Sequence, residues 1–229
     1  MPLPSHLRLN AFKYPIGFIR LIQLIFIIIG LSSVNHWYYK LTFNCPSSLS
    51  DPSTDLKRTT TFSTFSFDSI KVQSCDAPDE VQIWNQEEFT SSSGFFYFVE
   101  AMGLISIFVG LFFYVFLWEL YENEGRVRLG DLIFTSLCFI LFFFCSSIWW
   151  SSCNGIGFVG SKEHVSKILQ DNNRFNLSDA SSVVIETKNS LLTISVLCAW
   201  VSVVLYALNT WYIWKEIAPT PASNPTSIA

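Results

Sequence analysis

Few residues in this chain could support proton-transfer, nucleophilic or metal chemistry, and those few are scattered. His6, His36 and His164 lie far apart, and no His/Cys/Asp/Glu group has the spacing of a zinc or haem ligand set. There is no CxxC pair, Gly-rich phosphate loop, HExxH or nucleophile elbow. The expectation is a protein without metal or cofactor that is not an enzyme. Glu100 stands as a lone acid among Phe95, Phe96, Tyr97 and Phe98. At a bilayer centre an acid costs about 2.5–3.5 kcal/mol, and much less near the interface. Two roles are open to it: a contact to an ion or sterol hydroxyl, or the favoured one, a carboxylate reaching the headgroups from the first two turns of its helix. Arg20 and Lys215 read as cations that snorkel from helix ends.

The elements that must position these residues are apolar. Half of the 229 residues are hydrophobic and only 14% are charged, against about a quarter in a water-soluble domain. The bilayer is therefore the natural solvent. A net charge of −4 without a run of Lys or Arg argues against nucleic acid as a partner. A hydrocarbon core of about 30 Å needs about 20 apolar residues in helical form. Four stretches without Asp, Glu, Lys or Arg qualify: 21–39, 101–118, 132–150 and 189–214. Lipid offers the backbone no hydrogen-bond partner, so each must be a helix, and the alternation of a transmembrane barrel is absent.

The expected fold class is all-α: a four-transmembrane-helix bundle with a small disulfide-linked, β-rich lumenal loop. Its segments are a cytosolic N-terminus at 1–15, helices at 16–39, 95–119, 131–152 and 189–214, lumenal loops at 40–94 and 153–188, a cytosolic turn at 120–130 and a cytosolic tail at 215–229. A signal peptide cleaved near Ser32-Ser33 is the alternative for the first helix. Its apolar run is longer than a usual h-region and begins only at Leu21.

Sidedness follows from Lys and Arg near helix ends. Arg8, Lys13, Arg20, Arg126, Arg128 and Lys215 sit in short segments on the terminus side. The other eight of the 14 are spread over the two longer loops. Density, though not raw count, places both termini in the cytosol. Cys45 and Cys75 then share a lumenal loop, where thiols oxidise readily. A disulfide is expected, and two unrelated thiols are the alternative. Between them, residues 58–73 are rich in Thr, Phe, Ile and Val, with Phe65 and Phe67 alternating with polar neighbours, which reads as one or two short strands. Cys138, Cys145 and Cys198 read as small apolar helix residues, and Cys153 has no evident partner. Asn176-Leu177-Ser178 is a glycosylation sequon in the second loop, with occupancy open. His36 to Tyr39, Trp149, Trp150, Trp211 and Trp214 read as interfacial aromatic belts. Gly103 and Gly110 in the second helix, and Ser147 and Ser151 in the third, form faces on which helices can approach closely, within the bundle or between protomers.

Four segments resemble the synaptophysin family, which includes synaptoporin, pantophysin and mitsugumin and carries the four-helix MARVEL architecture. Tyr14-Pro15-Ile16-Gly17-Phe18-Ile19-Arg20 is similar to that family's approach into helix one. Tyr121-Glu122-Asn123-Glu124, leading to Leu129-Gly130-Asp131, resembles its short turn and the Asp opening helix three. Ser146-Ser147-Ile148-Trp149 resembles the end of that helix. Asn209-Thr210-Trp211-Tyr212-Ile213-Trp214-Lys215-Glu216 resembles the close of helix four. In this order, with Cys45 and Cys75, the match runs over nearly the whole chain. Three features depart from it: the second loop has no cysteine pair, the sequon lies in the second loop, and the tail is only 15 residues without Tyr/Gly/Pro repeats.

The resemblance implies an integral protein of cytoplasmic or synaptic vesicles, acting in trafficking or exocytosis. It implies a homo-oligomer, a hexamer by that likeness, associated with membrane lipids including cholesterol in curved membrane, and binding a synaptobrevin-type SNARE protein. The rivals are a channel-like oligomer lined by Glu100 and Ser or Asn side chains, and a junctional adhesion protein.

Overall fold

The structure is a computed structural model that describes residues 12, 14–45, 56–63, 71–73, 75, 80–82, 90–171 and 183–217. Asn176, Phe65 and Phe67, most of the N-terminus and the tail beyond 217 lie outside the described residues.

Four long helices dominate: α1 (Pro15–Asn35), α2 (Thr90–Phe116), α4 (Gly125–Val159) and α6 (Asn189–Ile217). Each is long and apolar enough to cross a membrane. Large side chains on these helices stay exposed, among them Phe18, Phe108, Phe112, Phe144 and Trp211. In water such a surface would be ruinous. Against lipid it is the expected outer face.

At about 1.5 Å per residue, the 35 residues of α4 extend well beyond the roughly 30 Å of hydrocarbon. Hydropathy reads the lipid thickness, whereas helical hydrogen bonding continues past it. This is why the expected 131–152 segment is only the middle of α4. The expected turn at 120–130 is nearly all helical. It holds α3 (Trp118–Asn123), then Glu124 in an extended conformation, then the first turns of α4. The first helix ends earlier than expected, at Asn35, because Tyr39 already belongs to a strand.

By contacts the chain divides into two units, and each long helix contributes one end to each. The first holds residues up to Ile28, Val99–Phe144 and those from Ala199. The second holds Ile29–Phe98 and Cys145–Cys198.

In the second unit, β1 (Tyr39–Cys45) is the centre of a three-stranded antiparallel sheet in the order β2-β1-β5. β2 (Leu56–Phe62) pairs Tyr39 with Phe62 and Cys45 with Leu56. β5 (Val184–Thr187) pairs Thr187 with Tyr39 and Val184 with Thr42. The sheet therefore joins the first polar loop to the second, which periodicity in either loop alone does not reveal. β1 is buried at most positions, with Tyr39, Leu41 and Phe43 among the core residues. The Tyr39 hydroxyl donates to the Gly160 carbonyl at 3.1 Å, and burial pushes its pKa up. An exposed ion pair, Lys40 to Glu186 at 2.9 Å, decorates the β1–β5 ladder and contributes under about 1 kcal/mol.

Cys45 and Cys75 are disulfide-bonded, with Cα atoms 5.5 Å apart. The bond ties the end of β1 to the residue two beyond β3 (Lys71–Gln73), which pairs antiparallel with β4 (Glu80–Gln82). The β-rich, disulfide-linked element expected from sequence is present. Its strands fall partly elsewhere, at 39–45 and 56–62, because β1 begins directly after α1. A short amphipathic helix, α5 (Lys162–Asp171), buries Val165 and Leu169.

Candidate functional site

The first unit contains a charged network inside an apolar helix assembly. Arg20, the sixth residue of α1, is fully buried, with 0% exposure. It does not snorkel. Arg20 Nη1 donates to Ser106 Oγ of α2 at 3.1 Å. Arg20 Nη2 donates to Thr135 Oγ1 of α4 at 2.7 Å and to Asp131 Oδ1 at 3.2 Å. With the Asn209 amide of α6 turned so that its oxygen faces the guanidinium, Arg20 Nε donates to it at 2.8 Å. The guanidinium also lies 5.8 Å from the centre of the Tyr206 ring. One side chain thus engages α2, α4 and α6. The five N–H donors of an arginine, held in a planar fork, suit this divergent task as a lysine ammonium does not.

Asp131 completes the network. Its Oδ1 accepts from Arg20 and from Thr135 Oγ1, the latter at 3.2 Å. Its Oδ2 accepts from the Tyr114 and Tyr121 hydroxyls at 2.5 and 3.1 Å. Four donors occupy the roughly four lone-pair positions of a carboxylate. This leaves Asp131 no free lone pair with which to act as a base. Burial, then the neighbouring Asp131 charge, push the Tyr121 hydroxyl's pKa up, so it remains a donor at neutral pH. Around the two tyrosines, Ile16 and Ile213 close a small apolar cluster. A cavity of about 290 Å³ opens beside them, lined by Val109, Gly110, Phe113 and Phe134 with Ser106 and Asp131 at its polar edge.

The glycines singled out from sequence lie against this network. A Cβ on Gly110 would sit 3.3 Å from Arg20 Nε, and one on Gly103 would sit 2.7 Å from Phe142 Cζ and 2.9 Å from Ile27 Cδ1. Phe142 cannot readily swing aside, being buried and stacked on Tyr206 at 4.9 Å. Gly103→Leu is therefore expected to destabilise the protein by about 1–3 kcal/mol through overpacking. Gly130→Ala, with nothing within 4 Å of the new methyl, should stay within about 0.5 kcal/mol of the native chain. Thermal unfolding of the two variants in the same detergent checks this ordering.

Other expected positions are distributed differently. Glu100 does not reach outward from the helices: it lies ten residues after the start of α2 and is 1% exposed. Ser147 is half-buried and Ser151 exposed, whereas the buried serines of α4 are Ser146 and Ser152. Of the aromatic belt residues, Trp150, Trp211 and Trp214 are exposed, but Trp37, Tyr39 and Trp149 are buried. In the second unit Trp149 stacks on Phe96 at 4.7 Å and donates from Nε1 to Ser195 Oγ at 2.9 Å. Among the described residues no group of three or more His, Cys, Asp or Glu could hold a metal ion.

Asp131, Ser106, Thr135, Tyr114, Tyr121 and Asn209 were not anticipated as a site. A signal existed. Arg20 and Asp131 carry opposite charges near the starts of two spans that are two apart in the chain and so begin on the same side of the membrane. Arg20, Tyr121, Asp131 and Asn209 also all fall within the segments that carry the family resemblance.

Four apolar spans, a disulfide-linked sheet and buried polar clasps define an integral membrane protein. The family model for MARVEL, a membrane-associating domain, matches residues 11–212, and the chain belongs to that family.

Proposed function

We propose that the chain is a synaptophysin-like vesicle membrane protein that acts by association rather than by catalysis. It oligomerises with itself, lies in cholesterol-rich curved membrane and engages a synaptobrevin-type partner during vesicle trafficking or exocytosis, with both termini cytosolic. One observation carries this reading: the Arg20–Asp131 pair is saturated by partners within its own chain, while the outer faces of the helices carry large apolar side chains. Phe108 is 60% exposed and Phe144 57%. Charges used up in holding helices together are not available to process a substrate, and the exposed faces offer lipid and neighbouring helices van der Waals contact. A groove between α4 and α6, lined by Leu132, Phe139, Ala207, Trp211 and Trp214, adds an apolar surface suited to a lipid.

The test is the native mass of the protein extracted from intracellular vesicles in mild detergent. The expected result is a complex containing several copies of the chain, from which a synaptobrevin-type protein is recovered. A lone chain, drawn mainly from membranes other than vesicles, would reject the proposal.

A further inference from the structure

Three buried side chains of the first unit carry polar atoms without a hydrogen-bond partner: both amide atoms of Gln23, Oε2 of Glu100 and Oγ of Ser202. Their residues are 0%, 1% and 0% exposed. They belong to three different helices that meet at Gly103. Ile27 of α1 lies against Gly103, and the Tyr206 hydroxyl of α6 donates to the Gly103 carbonyl at 3.3 Å. Gln23 is four residues before Ile27, Glu100 three before Gly103, and Ser202 four before Tyr206. That spacing puts each on the same helix face as the contact, one turn away: Glu100 and Ser202 on one side of it, because α2 and α6 run in the same direction, and Gln23 on the other, because α1 runs against them. Glu100 is moreover within electrostatic reach of Tyr206.

The charged and titratable groups facing this point decide what occupies it. α1 supplies Arg20, already paired with Asp131. Tyr206 of α6 lies within electrostatic reach of Arg20, of Cys138 of α4 and of Glu100. Among the described residues of this unit no cation faces Glu100 unpaired. An ionised Glu100 would be an uncompensated charge among apolar helices, which such a setting does not tolerate. On the same side of the contact as Glu100 stands the unpaired hydroxyl of Ser202.

We propose that Glu100, with Ser202, forms an intramembrane proton-binding site, in which the Glu100 carboxyl holds an exchangeable proton. The bound form is a neutral carboxyl whose O–H can donate to a neighbouring hydroxyl oxygen. Release gives a carboxylate and a free proton. Release leaves a bare charge where α1, α2 and α6 meet, so proton occupancy is coupled to the packing of these helices. Asp131, engaged by Arg20 and both tyrosines, does not share this role.

Reaction of the full chain in lipid vesicles with a hydrophobic carbodiimide tests the site. The reagent takes the carboxyl proton onto a nitrogen while the carboxylate oxygen attacks its central carbon, and the O-acylisourea so formed rearranges to the stable N-acylurea, so only a protonated acid that the hydrophobic reagent reaches is converted. Peptide mapping is expected to find the adduct on Glu100 and not on Asp131, decreasing as pH is raised, unchanged by sodium at constant pH, and lost in Glu100→Gln. Infrared spectra of wild-type protein should show a protonated carboxyl band at neutral pH that Glu100→Gln removes. An unlabelled Glu100 together with no such band would overturn the proposal. So would an adduct on Asp131, or protection of Glu100 by sodium, which would assign the site to a metal cation instead.

Discussion

Asp131→Ala is expected to destabilise the protein by about 3–5 kcal/mol, because it strands a guanidinium that has no access to water. Arg20 is 0% exposed and Asp131 only 14%, so neither salt nor solvent can replace the lost partner. The loss propagates beyond the pair. Tyr114 and Tyr121 lose their common acceptor, and each buried hydroxyl left unsatisfied adds about 1–3 kcal/mol. The variant should unfold at lower temperature in detergent, and its yield of monodisperse protein should fall. Arg20→Met should behave similarly, stranding Asp131 instead. Glu119→Ala is the contrasting case: Glu119 is exposed, in α3 outside the membrane spans, and its loss should be far milder.

The second large effect is expected at the disulfide. Cys45 and Cys75 close a loop of 30 residues, which on chain-entropy grounds stabilises the folded state by about 3–4 kcal/mol. Cys45→Ser or Cys75→Ser should lose most of that. The loss should appear in the β1–β2–β5 sheet, because Cys45 ends the central strand and is 2% exposed. Hydrogen exchange of residues 39–45, 56–62 and 184–187 should accelerate in either variant and in reduced wild-type protein. Unchanged protection in all three would mean that the sheet stands without the bond. A chain whose Cys45 or Cys75 is recovered as a thiol after non-reducing peptide mapping would contradict the bond itself.

Much of this architecture is legible in the sequence because lipid imposes a coarse rule. A backbone without water must be helical, so uncharged stretches of about 20 residues announce themselves. The disulfide is legible for a different reason, since two cysteines share one polar loop. What the sequence obscures is partnership. Arg20 near a helix end looks like a snorkelling cation until the helices are assembled and Ser106, Asp131, Thr135 and Asn209 converge on it. Hydropathy counts Asp131 as a boundary marker, although α4 runs on both sides of it. Likewise β5 is four residues in an otherwise polar loop, and its identity as a strand comes only from pairing with β1. Trp149 follows the same logic: next to Trp150 it reads as part of an interfacial belt, yet successive helical residues face different ways. Trp149 goes inward to Ser195 and Trp150 outward. Within the chain, Ser146 and Ser152 are the serines of α4 turned inward, and Ser147 and Ser151 are not.

The resemblance to the synaptophysin family gains a physical content from these placements. The segments that carry it contain Arg20, Tyr121, Asp131, Asn209 and Trp149, and each of these makes a side-chain hydrogen bond inside the helix assembly. Such residues specify which helices meet and at what depth. Their apolar neighbours, including Phe18, Ile148 and Trp211, stay exposed and are free to vary within the limits that lipid sets.

The central claim is that the buried Arg20–Asp131 pair clasps the helices of one chain. A double-mutant cycle on Arg20→Met and Asp131→Leu, read as thermal unfolding in one detergent, tests it most directly. Each single variant strands a buried charge, whereas the double variant replaces the pair with apolar side chains of similar bulk, an exchange that is often neutral or stabilising. The double variant is therefore expected to recover the part of the loss that comes from the stranded charge, though not the part from the Tyr114 and Tyr121 hydroxyls, with a coupling of about 2 kcal/mol or more. A double variant as unstable as the sum of the two singles would show that Arg20 and Asp131 act separately, and would contradict the clasp.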